Sequence, residues 1–222
     1  ALAQKYDNVY ATIGLQPIHT SKSYHDEKEL GDGGKEFTSR GEKFDSKVYE
    51  ELAKDPKVIA LGECGLDYYR ADKSTKRIQE EAFMQHIILS NKLEKPLMLH
   101  IRDAYDDALA ILKEHAVMRG DVHFFAGSWD VARRFLDLGF TLSFTGVVTF
   151  THDYEEVVRN SPLEMLLSET DAPYVTPAPH RGKRNEPGYV PLIVKAIADI
   201  RRQDEETVRE ALMANARRVF NI

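Results

Sequence analysis

Apolar residues come in short bursts along this chain, and between the bursts they recur every three or four positions. The β-rich runs Val9–Leu15, Val58–Gly62, Pro96–His100, Asp121–Phe125, Phe140–Phe144 and Met165–Glu169 predict six strands. Lys76–Leu93, Ala104–His115 and Trp129–Leu138 have helical spacing, and Tyr189 to Val219 reads as two more helices, with Val208, Leu212 and Val219 on one face. Gly139 stands where a helix C′ glycine would end the segment Trp129–Leu138. The polar stretch from Thr20 to Asp45, with Gly31, Gly33, Gly34 and Gly41, is the one loop-like insertion.

A repeated strand–helix–strand rhythm calls for an α/β fold with a parallel sheet covered by helices, either a closed TIM-type (β/α) barrel or an open doubly wound sheet. Ala1–Tyr6 resembles the last turns of a helix, and six strands are two fewer than such a barrel holds. The expectation is a single barrel domain over residues 1–222 that lacks its first strands, or whose open edge is covered by something else.

Composition narrows this further. The 222 residues are 42% hydrophobic, and 36 acidic against 30 basic residues give a formal charge of −6. That balance gives no general attraction to nucleic acid, so any phosphate recognition has to be local. No apolar run approaches the roughly 18 residues of a membrane span, and no charged segment followed by an apolar one opens the chain as a signal peptide would, so the expectation is a soluble, cytoplasmic protein. A single cysteine, Cys64, excludes an intrachain disulfide framework; by strand alternation it should face away from Glu63, toward the helix layer.

The candidate chemistry sits where the expected strands stop. Glu63 follows Val58–Gly62, His100 ends Pro96–His100, His123 lies in Asp121–Phe125, and Asp171 follows Met165–Glu169. In parallel α/β sheets the C-terminal strand ends share one face, and catalytic residues there come from several strands. Two imidazoles and two carboxylates on one face make a nitrogen and oxygen donor set for zinc, manganese or magnesium, one or two ions per chain. Taken singly, each is as well explained as a hydrogen-bonded core group, a helix cap or a turn residue. The other histidines, His19, His25, His86, His115, His152 and His180, fall in helices or polar loops and carry no expected role. Arg102, two residues after His100, is placed to fork onto a phosphate oxygen. Arg181, Lys183 and Arg184 form a small positive island soon after Asp171 and are the remaining substrate-binding candidates.

These motifs together resemble the TatD family of metal-dependent deoxyribonucleases, within the amidohydrolase-like barrels. The resemblance runs through Gly62-Glu63-Cys64-Gly65-Leu66-Asp67-Tyr68, Pro96 to His100 with Arg102-Asp103-Ala104, and His123-Phe124-Phe125-Ala126-Gly127. It continues through Glu169-Thr170-Asp171-Ala172-Pro173-Tyr174, Asn185-Glu186-Pro187 and Asn215 to Phe220. It implies a TIM-type barrel in which Glu63 is a bridging metal carboxylate, His100 and His123 are the imidazole ligands of one metal, and Asp171 is a ligand that also takes the proton of the attacking water. Two departures stand out. The family's opening His-x-His pair has no counterpart here, and Gln16 in Gly14-Leu15-Gln16-Pro17 stands where histidine is common. The expected activity is divalent-metal-dependent hydrolysis of DNA phosphodiester bonds, on single strands or ends. The alternatives are an ester or amide hydrolase such as an aminoacyl-tRNA deacylase, and a binding module with an incomplete metal site.

Overall fold

The computed structural model describes residues 2–22, 24–25, 36–70 and 73–222. Gly31, Gly33 and Gly34 of the polar insertion lie outside the described residues, while its flanks pair as a short antiparallel ribbon of β2 (Tyr24–His25) and β3 (Phe37–Thr38). The remaining strands are β1 (Ala11–Ile13), β4 (Val58–Asp67), β5 (Leu97–Arg102), β6 (Gly120–His123), β7 (Thr141–Phe144) and β8 (Leu166–Ser168). They form a six-stranded sheet in the order β1-β4-β5-β6-β7-β8, and the pairs β1–β4, β4–β5 and β7–β8 are parallel. Strand order follows chain order without reversal. A doubly wound sheet reverses its order at a switch point, so this order is consistent with part of a TIM-type barrel.

The chain forms two compact units. The first comprises residues 1–23, 39–121 and 219–222, and the second residues 24–38 and 122–218. In the first, the helix α1 (Leu2–Lys5) opens the chain, and α2 (Ser46–Leu52), α3 (Lys76–Leu93) and α4 (Tyr105–His115) accompany the strands. The bounds of α3 match the sequence expectation, because its buried residues Gln79, Ala82, Phe83, His86, Ile87, Leu89 and Ser90 repeat at helical spacing. Ala60, Leu61, Leu66, Leu97 and Leu99 make the core of this unit with Phe83 and Ile87, all at 1% exposure or less.

The second unit holds α5 (Trp129–Asp137), α6 (Glu155–Asn160), α7 (Val190–Arg201) and α8 (Glu205–Phe220). Its core is aromatic, with Phe125 edge-on to both Phe135 and Phe144. Gly139 has φ +85°, and the Gly139 and Phe140 N–H groups donate to Leu136 and Phe135 carbonyls, as a left-handed helix stop requires. Asn215 is buried and its side-chain amide donates to the Leu163 and Leu166 carbonyls, tying α8 to the start of β8. Among the described residues no helix is long and apolar enough to cross a membrane.

One strand departs from expectation. Val58–Gly62 does not end before Glu63; β4 runs on to Asp67, so Glu63 lies inside the strand. The register explains how it still reaches a polar face. Gly62 pairs with Met98 and Cys64 with Leu99, so Glu63 is the extra residue of a bulge, which re-aims a side chain. Beyond it Gly65 pairs with His100 and Asp67 with Arg102. Gly65 is required by close approach: with φ +139°, a Cβ there would stand 2.1 Å from the His100 carbonyl oxygen.

Candidate metal centre

In the first unit β5 alternates strictly. Leu97, Leu99 and Ile101 are buried, while Met98, His100 and Arg102 turn to the half-exposed side. His100 Nε2 lies 2.9 Å from Asp67 Oδ2, and its Nδ1 lies 3.7 Å from Glu63 Oε2. Asp67 is fully buried. Its other oxygen accepts the Tyr69 and Arg70 N–H groups at 3.0 and 2.7 Å, and the Gln79 side-chain amide brackets the Asp67 backbone. Burial pushes the Asp67 carboxyl up. The hydrogen bonds from His100 and the Arg70 N–H, with the charges of His100 and Arg102, outweigh it and hold the group below the ordinary aspartate value. In the neutral form of the ring, an ionised Asp67 that accepts from His100 assigns the one ring proton to Nε2 and leaves the Nδ1 lone pair turned toward Glu63.

The second unit repeats this arrangement with different residues. His123 Nδ1 lies 2.5 Å from Glu169 Oε2, and His123 Nε2 lies 3.8 Å from Asp171 Oδ1. Glu169 Oε1 accepts the Phe124 N–H at 2.7 Å and the Ser143 hydroxyl at 2.5 Å. Burial again raises this carboxyl, and the His123 charge and hydrogen bond, with those from Ser143 and Phe124, bring it below the ordinary glutamate value. Each imidazole is therefore held at one nitrogen by a carboxylate, fully buried at Asp67 and partly buried at Glu169, and presents the other to a more exposed one.

This donor arrangement fits a divalent cation. Two donors that each sit about 2.0–2.2 Å from a shared ion are at most about 4.4 Å apart, and both imidazole–carboxylate separations, 3.7 and 3.8 Å, lie beyond hydrogen-bond range yet inside that limit. Carboxylates that fix the tautomer of a ligating histidine are the usual outer support of such sites. Among the described residues no group of three or more His, Cys, Asp or Glu side chains is gathered as an ion site, so each unit displays a pair.

The expected ligands Glu63, His100, His123 and Asp171 thus fall into two pairs. Asp67 and Glu169, which hold the rings, were missed as contributors although both lie inside the motifs quoted above. The signal available was an acid at each motif's fixed offset from the ligand residue. Cys64 is buried as expected, its Sγ 3.7 Å from the Met98 carbonyl, and burial followed by the Glu63 charge pushes its thiol up. Arg102 stacks on Tyr69, with Cζ 3.8 Å from the ring centroid. Arg181 lies over Phe150 and donates to the Thr176 carbonyl, while Lys183 and Arg184 are exposed. Gln16 is used structurally, its side-chain oxygen accepting the Ile18 N–H at 2.8 Å. His86 is buried: Nδ1 donates to the Ala82 carbonyl, and Nε2 accepts the Leu15 N–H at 2.9 Å.

Comparison with known proteins places these residues in a family context. The model of the TatD related DNase family matches residues 1–221, spanning both units. The uncharacterized metal-dependent hydrolase YabD of Bacillus subtilis is 38% identical over 225 residues, covering 100% of this chain and 81% of its own. The 3'-5' ssDNA/RNA exonuclease TatD of Klebsiella pneumoniae is 38% identical over 180 residues, covering 77% of this chain and 68% of its own. Among solved structures, YJJV, a TatD homolog from Escherichia coli, is similar with a TM-score of 0.83 and 28% identity, covering 100% of this chain and 80% of that one.

Proposed function

This chain belongs to the family of TatD related DNases, and on that premise we propose that it is a divalent-metal-dependent hydrolase of DNA phosphodiester bonds, acting on single strands or ends, built on a TIM-type barrel. The observation that carries the reading is the pair of imidazole–carboxylate sets, Glu63 with His100 and His123 with Asp171, each backed by a second carboxylate on the ring's other nitrogen, Asp67 and Glu169. Each pair would contribute two donors to a divalent ion. A bound divalent ion supplies Lewis-acid polarisation of the phosphoryl oxygen and lowers the pKa of its water toward neutrality.

The chain's own residues do the rest. Asp67 and Glu169 hold the two rings so that one nitrogen of each stays a lone-pair donor. Asp171, its side chain 30% exposed, is open enough to meet water and accepts its proton as the phosphorus is attacked. Arg102 takes a phosphate oxygen, and Arg181, Lys183 and Arg184 supply local positive charge in a chain of net charge −6.

The test is hydrolysis of a labelled single-stranded DNA beside an acyl ester and an aminoacyl-tRNA, with and without magnesium, manganese or zinc. Metal-dependent release of nucleotides, with the acyl substrates untouched, is the expected result. Metal-dependent deacylation without DNA cleavage would replace this reading with an ester hydrolase.

A further inference from the structure

An exposed aromatic side chain beside the first imidazole–carboxylate pair has no part in the chemistry above. Tyr69 is 63% exposed, yet its position is fixed at two points. Its N–H donates to Asp67 Oδ1, the carboxylate whose other oxygen holds His100, and its ring carries the Arg102 guanidinium at 3.8 Å. The Tyr68 N–H also donates to the Arg102 carbonyl at 2.9 Å, locking the turn to the end of β5. The Tyr69 backbone and the His100 imidazole thus share one buried carboxylate, and the Tyr69 ring carries the guanidinium.

Arg102 shares the half-exposed side of β5 with His100 and lies two residues on, about 6.6 Å along the strand at the usual rise of about 3.3 Å per residue. A guanidinium stacked on a ring keeps its planar N–H edge available for a bidentate bond to phosphate oxygens. A ring left this exposed offers a π-face on which any nucleobase stacks without regard to sequence.

We propose that Tyr69 and Arg102 form a nucleotide subsite, in which Arg102 holds the phosphate next to the one being cleaved and Tyr69 stacks the adjoining base of an unpaired strand. The subsite deepens the phosphodiesterase reading and rests on it. It makes the enzyme read single strands by shape and stacking, since bases inside a duplex have no free face to offer.

The experiment uses the full chain, wild type and with Tyr69→Ala, Tyr69→Phe and Arg102→Lys, on a labelled oligonucleotide in which one abasic residue is moved position by position. Turnover gives KM and kcat, and fluorescence anisotropy gives affinity without requiring turnover. Loss of one stacked base corresponds to about a 5- to 150-fold fall in affinity, so Tyr69→Ala is expected to raise KM on the order of tenfold and to lower kcat much less. Tyr69→Phe restores most of that loss, because the ring and not the hydroxyl does the stacking. One abasic position costs the wild type the same factor and costs Tyr69→Ala nothing further. Arg102→Lys raises KM at every base sequence, since the fork is lost. Equal affinity of wild type and Tyr69→Ala, or an alanine loss undiminished at every abasic position, overturns the subsite. If the wild type cleaves no DNA the phosphodiesterase reading fails by itself, and anisotropy still decides whether Tyr69 stacks a base.

Discussion

Replacing Asp67 with asparagine tests how the first imidazole is held. The carboxylate is fully buried and accepts three hydrogen bonds, from His100 Nε2 at 2.9 Å and from the Tyr69 and Arg70 N–H groups at 3.0 and 2.7 Å. Asparagine keeps an oxygen for the two backbone donors and turns an amide N–H₂ toward the ring. Two donors then face each other, so His100 must move its proton to Nδ1, and the lone pair leaves the side shared with Glu63. A buried hydrogen bond to a charged group, worth about 1.5–3 kcal/mol, is then replaced by a neutral one worth about 0.5–1.5, so folding stability falls by about 1 kcal/mol. Removing such a support costs a histidine-bound metal about 10- to 100-fold in affinity, or about 1.4–2.7 kcal/mol. Asp67→Ala also removes the acceptor of both backbone donors and should be less stable than Asp67→Asn by a further ~1–3 kcal/mol or more. Calorimetric titration with manganese, paired with urea unfolding of the metal-free chain, reads the two effects separately. An unchanged manganese affinity in Asp67→Asn would show that the carboxylate does not set the ring for a metal.

Three further outcomes follow from the structure. Burial lowers the His86 pKa from 6.5 to about 4, against a smaller opposing effect of the Ala82 carbonyl, so the folded state binds this proton less readily than the unfolded one. Stability should be complete above about pH 6.5 and fall by about 3 kcal/mol as pH drops to 4, at about 1.36 kcal/mol per unit; urea midpoints of wild type and His86→Asn across that range check it, and an equal slope in both would refute it. Gly65→Ala places a methyl 2.1 Å from the His100 carbonyl oxygen at φ +139° and should cost several kcal/mol, on the order of 3 or more, or prevent folding; a loss under about 1 kcal/mol would contradict that close approach. Cys64, buried and with its thiol pushed up, should react with a disulfide reagent only in denaturant, and rapid labelling of the native chain would place it at the surface.

The parts of the fold legible in the sequence are those whose burial is periodic. Lys76–Leu93 could be bounded to the residue because one stripe of it faces the core. Ser46–Leu52 went unread because it has no buried residue, and only the Asp45 cap, accepting the Lys47 and Val48 N–H groups, marks its start. Glu155–Asn160 is too short for its two buried valines, Val157 and Val158, to show a period. The expected strand Val58–Gly62 is shorter than Val58–Asp67, which continues through two glycines, Gly62 and Gly65, where a side chain would collide with the β5 backbone. The shorter bound left out Asp67, which sits at the end of the strand. Glu63, His100, His123 and Asp171 draw notice in the sequence as ligand-type residues near the ends of expected strands, while the carboxylates that hold the two rings look like ordinary acids until their hydrogen bonds are known.

The most direct measurement of the central claim is hydrolysis of a labelled single-stranded DNA by the metal-stripped chain as a divalent ion is added back, for wild type and Asp171→Asn, with bound metal measured in parallel. The account predicts no hydrolysis without the ion, recovery of the wild type as the ion binds, and an Asp171→Asn chain that takes up metal yet stays slower by about 10²- to 10⁴-fold. Hydrolysis that persists without any divalent ion, or an Asp171→Asn chain as fast as wild type, would contradict it.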